Sequence, residues 1–204
     1  MRDFDHDAVY YRVIGPDSGY LYRTGELEEM THGQGRLVAD CARYEFDGPD
    51  LIGKWLSLGR RVRRLRVPRT ATVERNTPFS QGGCYTWSAS EVELLDIIDY
   101  SQLMLEIEAA CEDAFISLHR IELPAGFRFP KKAWLLSLSD VLAVEPLLFP
   151  RQLSILRMFD CAITVGRLPN IVDELTARDC LFEGIKRLPD AREERQIERC
   201  SFFG

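Results

Sequence analysis

Lys131–Pro150 reads KKAWLLSLSDVLAVEPLLFP, and two segments that follow end in the same Leu-Pro or Phe-Pro manner. Arg151–Pro169 reads RQLSILRMFDCAITVGRLP and Asn170–Pro189 reads NIVDELTARDCLFEGIKRLP, before the tail DAREERQIERCSFFG. The prolines Pro130, Pro150, Pro169 and Pro189 are therefore spaced by 20, 19 and 20 residues. Counting from each proline brings the rest into register. Six residues on stand Leu136, Leu156 and Leu175, with Arg195 in the tail; eight on stand Leu138, Met158, Ala177 and Ile197. Eleven on stand Val141, Cys161, Cys180 and Cys200, and thirteen on stand Ala143, Ile163, Phe182 and Phe202. Backwards from Pro130 the same places hold Ile116, Leu118, Ile121 and Leu123.

A fixed period near 20 predicts a stack of about four coils and a partial last one. The L-x-L core of each segment has the alternation of a short strand buried on one face. The cysteine position falls in the turn after that strand, and the apolar residue two further on closes the coil. One coil cannot bury its own face, so the coils stack and their strands form a parallel sheet over a continuous core. Proline at each coil end suits an extended return segment, since it cannot donate to a ladder. Arg195, in the place of a core leucine, fits a capping coil with a polar face.

The pattern resembles the leucine-rich-repeat superfamily, L-x-x-L-x-L-x-x-N/C-x-L, over roughly 111–204. The best match is Val172-Asp173-Glu174-Leu175-Thr176-Ala177-Arg178-Asp179-Cys180-Leu181-Phe182. The short coils ending in Leu-Pro look most like the compact 20-residue bacterial type, with little helix on the convex side. The resemblance implies a concave strand surface on which outward side chains bind a protein. One outward row is Ser117, Ser137, Arg157, Thr176 and Gln196; a second is His119, Ser139, Phe159, Arg178 and Glu198. The candidate protein-binding residues are Ser137, Ser139, Arg157, Phe159, Thr176 and Arg178, with Phe159 between two arginines as a potential anchor.

Residues 1–110 lack the repeat. Ala8–Ile14 reads as a strand, 15–19 as a turn, and LIGKWLSL at 51–58 as a helix capped by Asp50 and stopped by Gly59. Arg61–Val67 reads as a strand ended by Pro68, which 71–73 resumes. Residues 77–83 form a loop, 85–98 one or two strands, and 103–111 a helix with Leu103, Ile107 and Ala110 on one face. The expected architecture is an α+β N-terminal cap domain at 1–110 followed by a leucine-rich-repeat solenoid with a parallel β-sheet at 111–204.

Charge is blocked along the chain. Residues 1–50 sum to −6, 51–75 to +7, 76–110 to −6 and 111–204 to −1, for a net charge of −6 over 204 residues. The basic block holds Arg60, Arg61, Arg63, Arg64, Arg66 and Arg69, six arginines in ten residues. Such a run can grip phosphates. The alternative is a strand whose arginines pair with the acidic blocks on either side. The acidic total and the lack of interleaved aromatics count against nucleic acid.

Tyr22-Arg23-Thr24-Gly25, Gly35, Phe46, Trp55, Arg61 through Val67 and Ala89 through Leu95, in that order, resemble an uncharacterised domain of phage and mobile-element proteins. A glycine before a strand, an aromatic-bearing helix and paired strands also resemble the ADP-ribosyltransferases. That resemblance implies Arg12 or Arg23 early, Ser88 or Ser90 in the middle, and Glu91 or Glu93 as the glutamate that holds the ribose and stabilises an oxocarbenium-like centre. There is no S-T-S element, and Glu91 and Glu93 equally fit the solvent face of a strand.

Other chemistry lacks a pattern. There is no P-loop, G-x-S-x-G, H-E-x-x-H or strand-linked G-x-G-x-x-G. Three of the six cysteines share one repeat position, with no C-x-x-C pair, and the only histidines are His6, His32 and His119. Stacked core thiols are expected rather than a metal or redox site, and no cofactor is implied. The start, MRDFDHD, has no apolar h-region, and no apolar run reaches the roughly 18 residues of a membrane span. These features point to reduced thiols in a cytoplasm. The favoured reading is a non-enzymatic inhibitor of the phage counter-defence or immunity type. Its acidic blocks would suit a basic protein target.

Overall fold

The computed structural model describes residues 4–14, 35–38, 44–48, 52–58, 61–75, 87–111 and 113–204. The turn at 15–19, the Asp50 cap, the Gly59 stop, the 77–83 loop, Arg23 and Arg60 lie outside these. The chain divides into two compact units, one of residues 1–52 and 58–100, the other of 53–57 and 101–204.

The described part of the first unit is mostly antiparallel strand. β1 (Tyr10–Ile14), β2 (Gly35–Val38), β4 (Arg61–Arg66) and β7 (Glu91–Ile98) form a sheet ordered β1-β4-β7-β2. β3 (Tyr44–Phe46), β5 (Val73–Arg75) and β6 (Trp87–Ala89) form a second sheet ordered β3-β6-β5. Of the stretch at 85–98, the described residues 87–98 form two strands, and the segment after Pro68 starts a new sheet rather than resuming the old strand. The core gathers Tyr10, Ile14, Phe46, Leu65, Val67, Ala89, Val92 and Leu94. Phe4 stacks on Tyr10 at 4.8 Å and meets Trp87 edge-on at 5.0 Å.

In the second unit the expected helix near 51–58 is a 3-10 helix, Ile52–Leu58. A 3-10 helix winds more tightly than an α-helix and is frequent as a connector. A Cβ on Gly53 would lie 2.1 Å from the Phe115 carbonyl oxygen, so only glycine lets this turn approach the first coil. Helix α1 spans Tyr100–Ala110. Leu103, Met104 and Ile107 form its buried face, whereas Ala110 is exposed and takes no part in it. Glu108 accepts from the Lys131 ammonium at 2.8 Å and from the Lys131 backbone N–H at 3.3 Å. These contacts hold its carboxyl below the ordinary glutamate range.

The rest is a parallel β-solenoid of about four turns with little helix. β8 (Ala114–Glu122), the first half of β9 (Ala133–Leu148), β10 (Ile155–Phe159), β12 (Ile171–Arg178) and β14 (Asp190–Glu198) make one parallel sheet. The second half of β9, β11 (Ala162–Arg167), β13 (Leu181–Glu183) and β15 (Ser201–Phe203) make another. The pairing register follows the proline count in the buried rows, with slips at the starts of β8, β9, β12 and β14 and at the ends of β9 and β11. Ile116, Leu136, Leu156, Leu175 and Arg195 are successive partners, as are Leu118, Leu138, Met158, Ala177 and Ile197. Ala143, Ile163, Phe182 and Phe202 form the matching row of the second sheet. The segment read as a turn with one closing residue is thus a strand in its own right.

A single residue turns each coil from one sheet to the other. Arg120, Asp140, Asp160, Asp179 and Arg199 sit there with φ of 50, 54, 52, 56 and 50°. This left-handed region is unfavourable for most side chains, and aspartate is among those that tolerate it. Backbone bonds across coils secure two of the corners, Asp160 N–H to Arg178 O and Asp179 N–H to Glu198 O, both 3.0 Å. The four boundary prolines are buried, and Phe129 packs on Phe149 at 5.6 Å beside them. β14 is exposed along most of its length, Arg195 included, as a coil with a polar face is.

Candidate functional site

The six candidate residues share the outer face of the first solenoid sheet. Ser137, Arg157 and Thr176 are successive cross-strand partners, and so are Ser139, Phe159 and Arg178. Alternation forces this, because residues one step from the buried leucines point away from the core. Arg157 and Arg178 are exposed; Ser137, Ser139, Thr176 and Phe159 are half-buried. Each arginine is tied to a glutamate on the next coil. Arg157 Nη2 lies 3.2 Å from Glu174 Oε2, and Arg178 Nε lies 2.9 Å from Glu198 Oε2. The face therefore carries paired charges around one aromatic ring, a polar surface with an apolar centre.

The outer face of the second sheet carries side chains that the repeat count did not single out. Leu142, Ala162 and Leu181 are partners on successive strands there. Leu142, Val144, Leu181 and Phe203 are 41, 65, 51 and 58% exposed. The signal was present, since 142, 162 and 181 follow the Val/Cys position by one residue. It becomes a row only where neighbouring coils pair the second strands.

The aligned cysteines line the inside of the corner. The Cys161 thiol donates to Phe159 O at 3.2 Å, Cys180 to Arg178 O at 3.1 Å and Cys200 to Glu198 O at 3.4 Å. Cys161 and Cys180 are buried and Cys200 partly so. The shared bond with Cys161 and burial push the Cys180 thiol upward, so it stays protonated. Among the described residues no group of three or more His, Cys, Asp or Glu is arranged to hold a metal.

Three of the six arginines in the run have partners among the described residues. Arg63 is buried and donates to Leu95 O. Arg64 forms a two-point ion pair with Asp96 at 2.8 and 2.5 Å, which holds that carboxyl below its ordinary range. Arg69 reaches Asp7 at 2.7 Å. Arg64 and Arg69 thus pair with the acidic blocks on the two sides of the run. Arg61 and Arg66 are exposed.

The described residues of the transferase comparison are spread over two sheets. Arg12 faces Arg63, whose partner on β7 is Ile97, while Glu93 faces Arg66. That separates Arg12 from Glu93 by four residues along the strands and two strands across, about 14 Å and about 10 Å. Ser88 is buried on β6 of the other sheet, and the Ser90 hydroxyl accepts from Thr72 N–H at 3.0 Å. Glu91 lies at the far end of β7, opposite Val38. In the solenoid, a shallow depression lined by Leu123, Pro124, Phe127, Ala143 and Leu147 has a cavity volume of about 10 Å3, room for about one water molecule. Small-molecule sites enclose roughly 300–1,000 Å3. No described helix is long and apolar enough to cross a membrane.

Comparison with family models, with curated proteins and with solved structures gives no match.

Proposed function

We propose that this chain is a non-enzymatic protein-binding protein in which a small N-terminal unit accompanies a solenoid that recognises a protein target. One observation carries the reading. Ser137, Ser139, Arg157, Phe159, Thr176 and Arg178 lie together on three adjacent strands, on a face that the solenoid core does not use. A regular sheet face of this kind offers a broad, flat surface, which suits a protein better than a small molecule. The L-x-L register supports a leucine-rich-repeat description of the coils, while the second strand of each coil favours a two-sheet solenoid. The role is that of an inhibitor acting in a cytoplasm, of the counter-defence or immunity type. A net charge of −6 and the acidic blocks at 1–50 and 76–110 suit a basic target.

The test is affinity purification from the native host with the wild type and with Arg157→Glu/Phe159→Ala. A stoichiometric protein partner, lost in the double variant and recovered with purified components, is the expected result. A partner retained by the variant removes the first-sheet face from the proposal.

A further inference from the structure

Three successive coils each place an aspartate at the corner and an apolar side chain two residues later on the second sheet. Asp140 precedes Leu142, Asp160 precedes Ala162, and Asp179 precedes Leu181. Because the coils stack in register, these become two parallel stripes along the solenoid, one of carboxylates and one of apolar groups. Strands in a sheet lie about 4.8 Å apart, so both stripes repeat at about that distance. Val144 and Phe203, among the most exposed apolar side chains of the described residues, widen the apolar stripe. Glu183 stands beside it, accepting from Thr164 Oγ1 at 3.3 Å.

The carboxylate stripe is bracketed by cations. Asp179 is held by Arg199 at 2.5 and 2.6 Å, and Arg120 stands 3.9 Å from Asp140. Asp160, in the middle, is exposed and has no ion-pair partner among the described residues. The negative field is therefore centred on the middle coils, next to the apolar stripe.

We propose that the outer face of the second sheet docks a basic amphipathic helix of a partner protein, lying along the solenoid axis across the strands. An α-helix advances about 5.4 Å per turn, close to the roughly 4.8 Å between coils, so successive turns meet successive coils. Apolar side chains at i, i+4 and i+7 cover Leu142, Ala162 and Leu181, and Lys or Arg on the flank of that stripe reaches Asp140 and Asp160. The opposite ends of the corner row, Arg120 and Arg199, repel cations and so restrict the basic residues to the middle turns. This site is separate from the first-sheet face and stands or falls without it.

The probe is a fluorescent 18-residue Leu/Lys peptide with apolar residues at helical spacing, read by anisotropy against the full chain. Its controls are a Leu/Glu peptide of the same pattern and a Leu/Lys peptide of the same composition without helical spacing. The expected result is micromolar binding of the first peptide alone. Leu142→Ser/Leu181→Ser should weaken it by about tenfold or more, as loss of two apolar contacts does. Asp140→Asn/Asp160→Asn should weaken it about twofold to fivefold and flatten its salt dependence. Arg157→Glu/Phe159→Ala should leave it unchanged. Leu142, Leu181, Asp140, Asp160 and Arg157 are exposed and Phe159 is half-buried, and far-UV circular dichroism confirms that each variant is folded.

The proposal is overturned if the helical Leu/Lys peptide does not bind, if the control peptides bind as well, or if binding ignores either the leucines or the aspartates. Loss of binding through Arg157→Glu/Phe159→Ala would transfer the helix site to the first sheet and also overturn it. Sedimentation of the wild type as a dimer that Leu142→Ser/Leu181→Ser dissociates would make a second copy the occupant instead.

Discussion

Asp160 shows how much a coil corner asks of one residue. With φ at 52° its backbone lies where most side chains collide with the following carbonyl, at a cost of roughly 1–2 kcal/mol. Aspartate and asparagine reduce that cost with a short polar side chain, and glycine removes it. Asp160→Val should therefore destabilise the solenoid by about 1–3 kcal/mol, since a β-branched residue is the worst fit to this region. Asp160→Gly and Asp160→Asn should leave urea midpoints nearly unchanged. Equal losses for all three variants would place the stabilisation in the carboxylate rather than in the backbone. The same corner at 120 and 199 is held by arginine, which lacks this local advantage. At 199 the ion pair with Asp179 fastens the side chain across the coils.

At the scale of the element, the cysteine row is a packed seam. Its members accept the corner geometry because a thiol is small, packs like an apolar group and still donates weakly to a nearby carbonyl. The bond to Cys161, and then burial, raise the titration of Cys180, and burial also raises that of Cys200. A raised thiol is less ionised at any pH below its own titration, so alkylation, which needs the thiolate, is slow. Of the described thiols, Cys200 should react first with iodoacetamide at pH 8, because it alone is partly exposed. Cys161 and Cys180 should react only as the coils open, and added urea should speed them far more than a rise in pH. Mass mapping of the alkylated sites measures this directly. Rapid modification of Cys180 in the folded protein would show that the seam is accessible and reactive.

For the whole molecule, two kinds of construction share one chain. The first unit is closed by antiparallel pairing of distant strands, and the second by repetition of one coil. Stability in a stack is a sum over coils and their interfaces, so the terminal coil has one neighbour and the middle coils have two. Amide exchange should be slowest in β9 and β10 and fastest in β14 and β15, where β14 is exposed along most of its length. Uniform exchange across the solenoid, followed by mass spectrometry, would mean that it opens as one unit.

The repeat, its period and its buried rows were legible in the sequence because each coil faces the same constraint. One step of slip would turn Leu136, Leu156 and Leu175 outward, so the register is written into the alternation itself. The pairing of Arg64 and Arg69 with the flanking acidic blocks was likewise one of two readings open from charge order. The second sheet was not legible. Its strands β13 and β15 are three residues long, too short to display a period, and they exist as strands only because neighbouring coils supply their hydrogen bonds. The positive φ at the corners was hidden for the same reason, since two arginines and three aspartates share no sequence signature apart from their spacing. The apolar stripe of Leu142, Ala162 and Leu181 likewise needs three coils in contact before it is a surface at all. Local pattern by itself determined the buried rows of the first solenoid sheet. Only the stacking of distant coils decided which exposed side chains stand together.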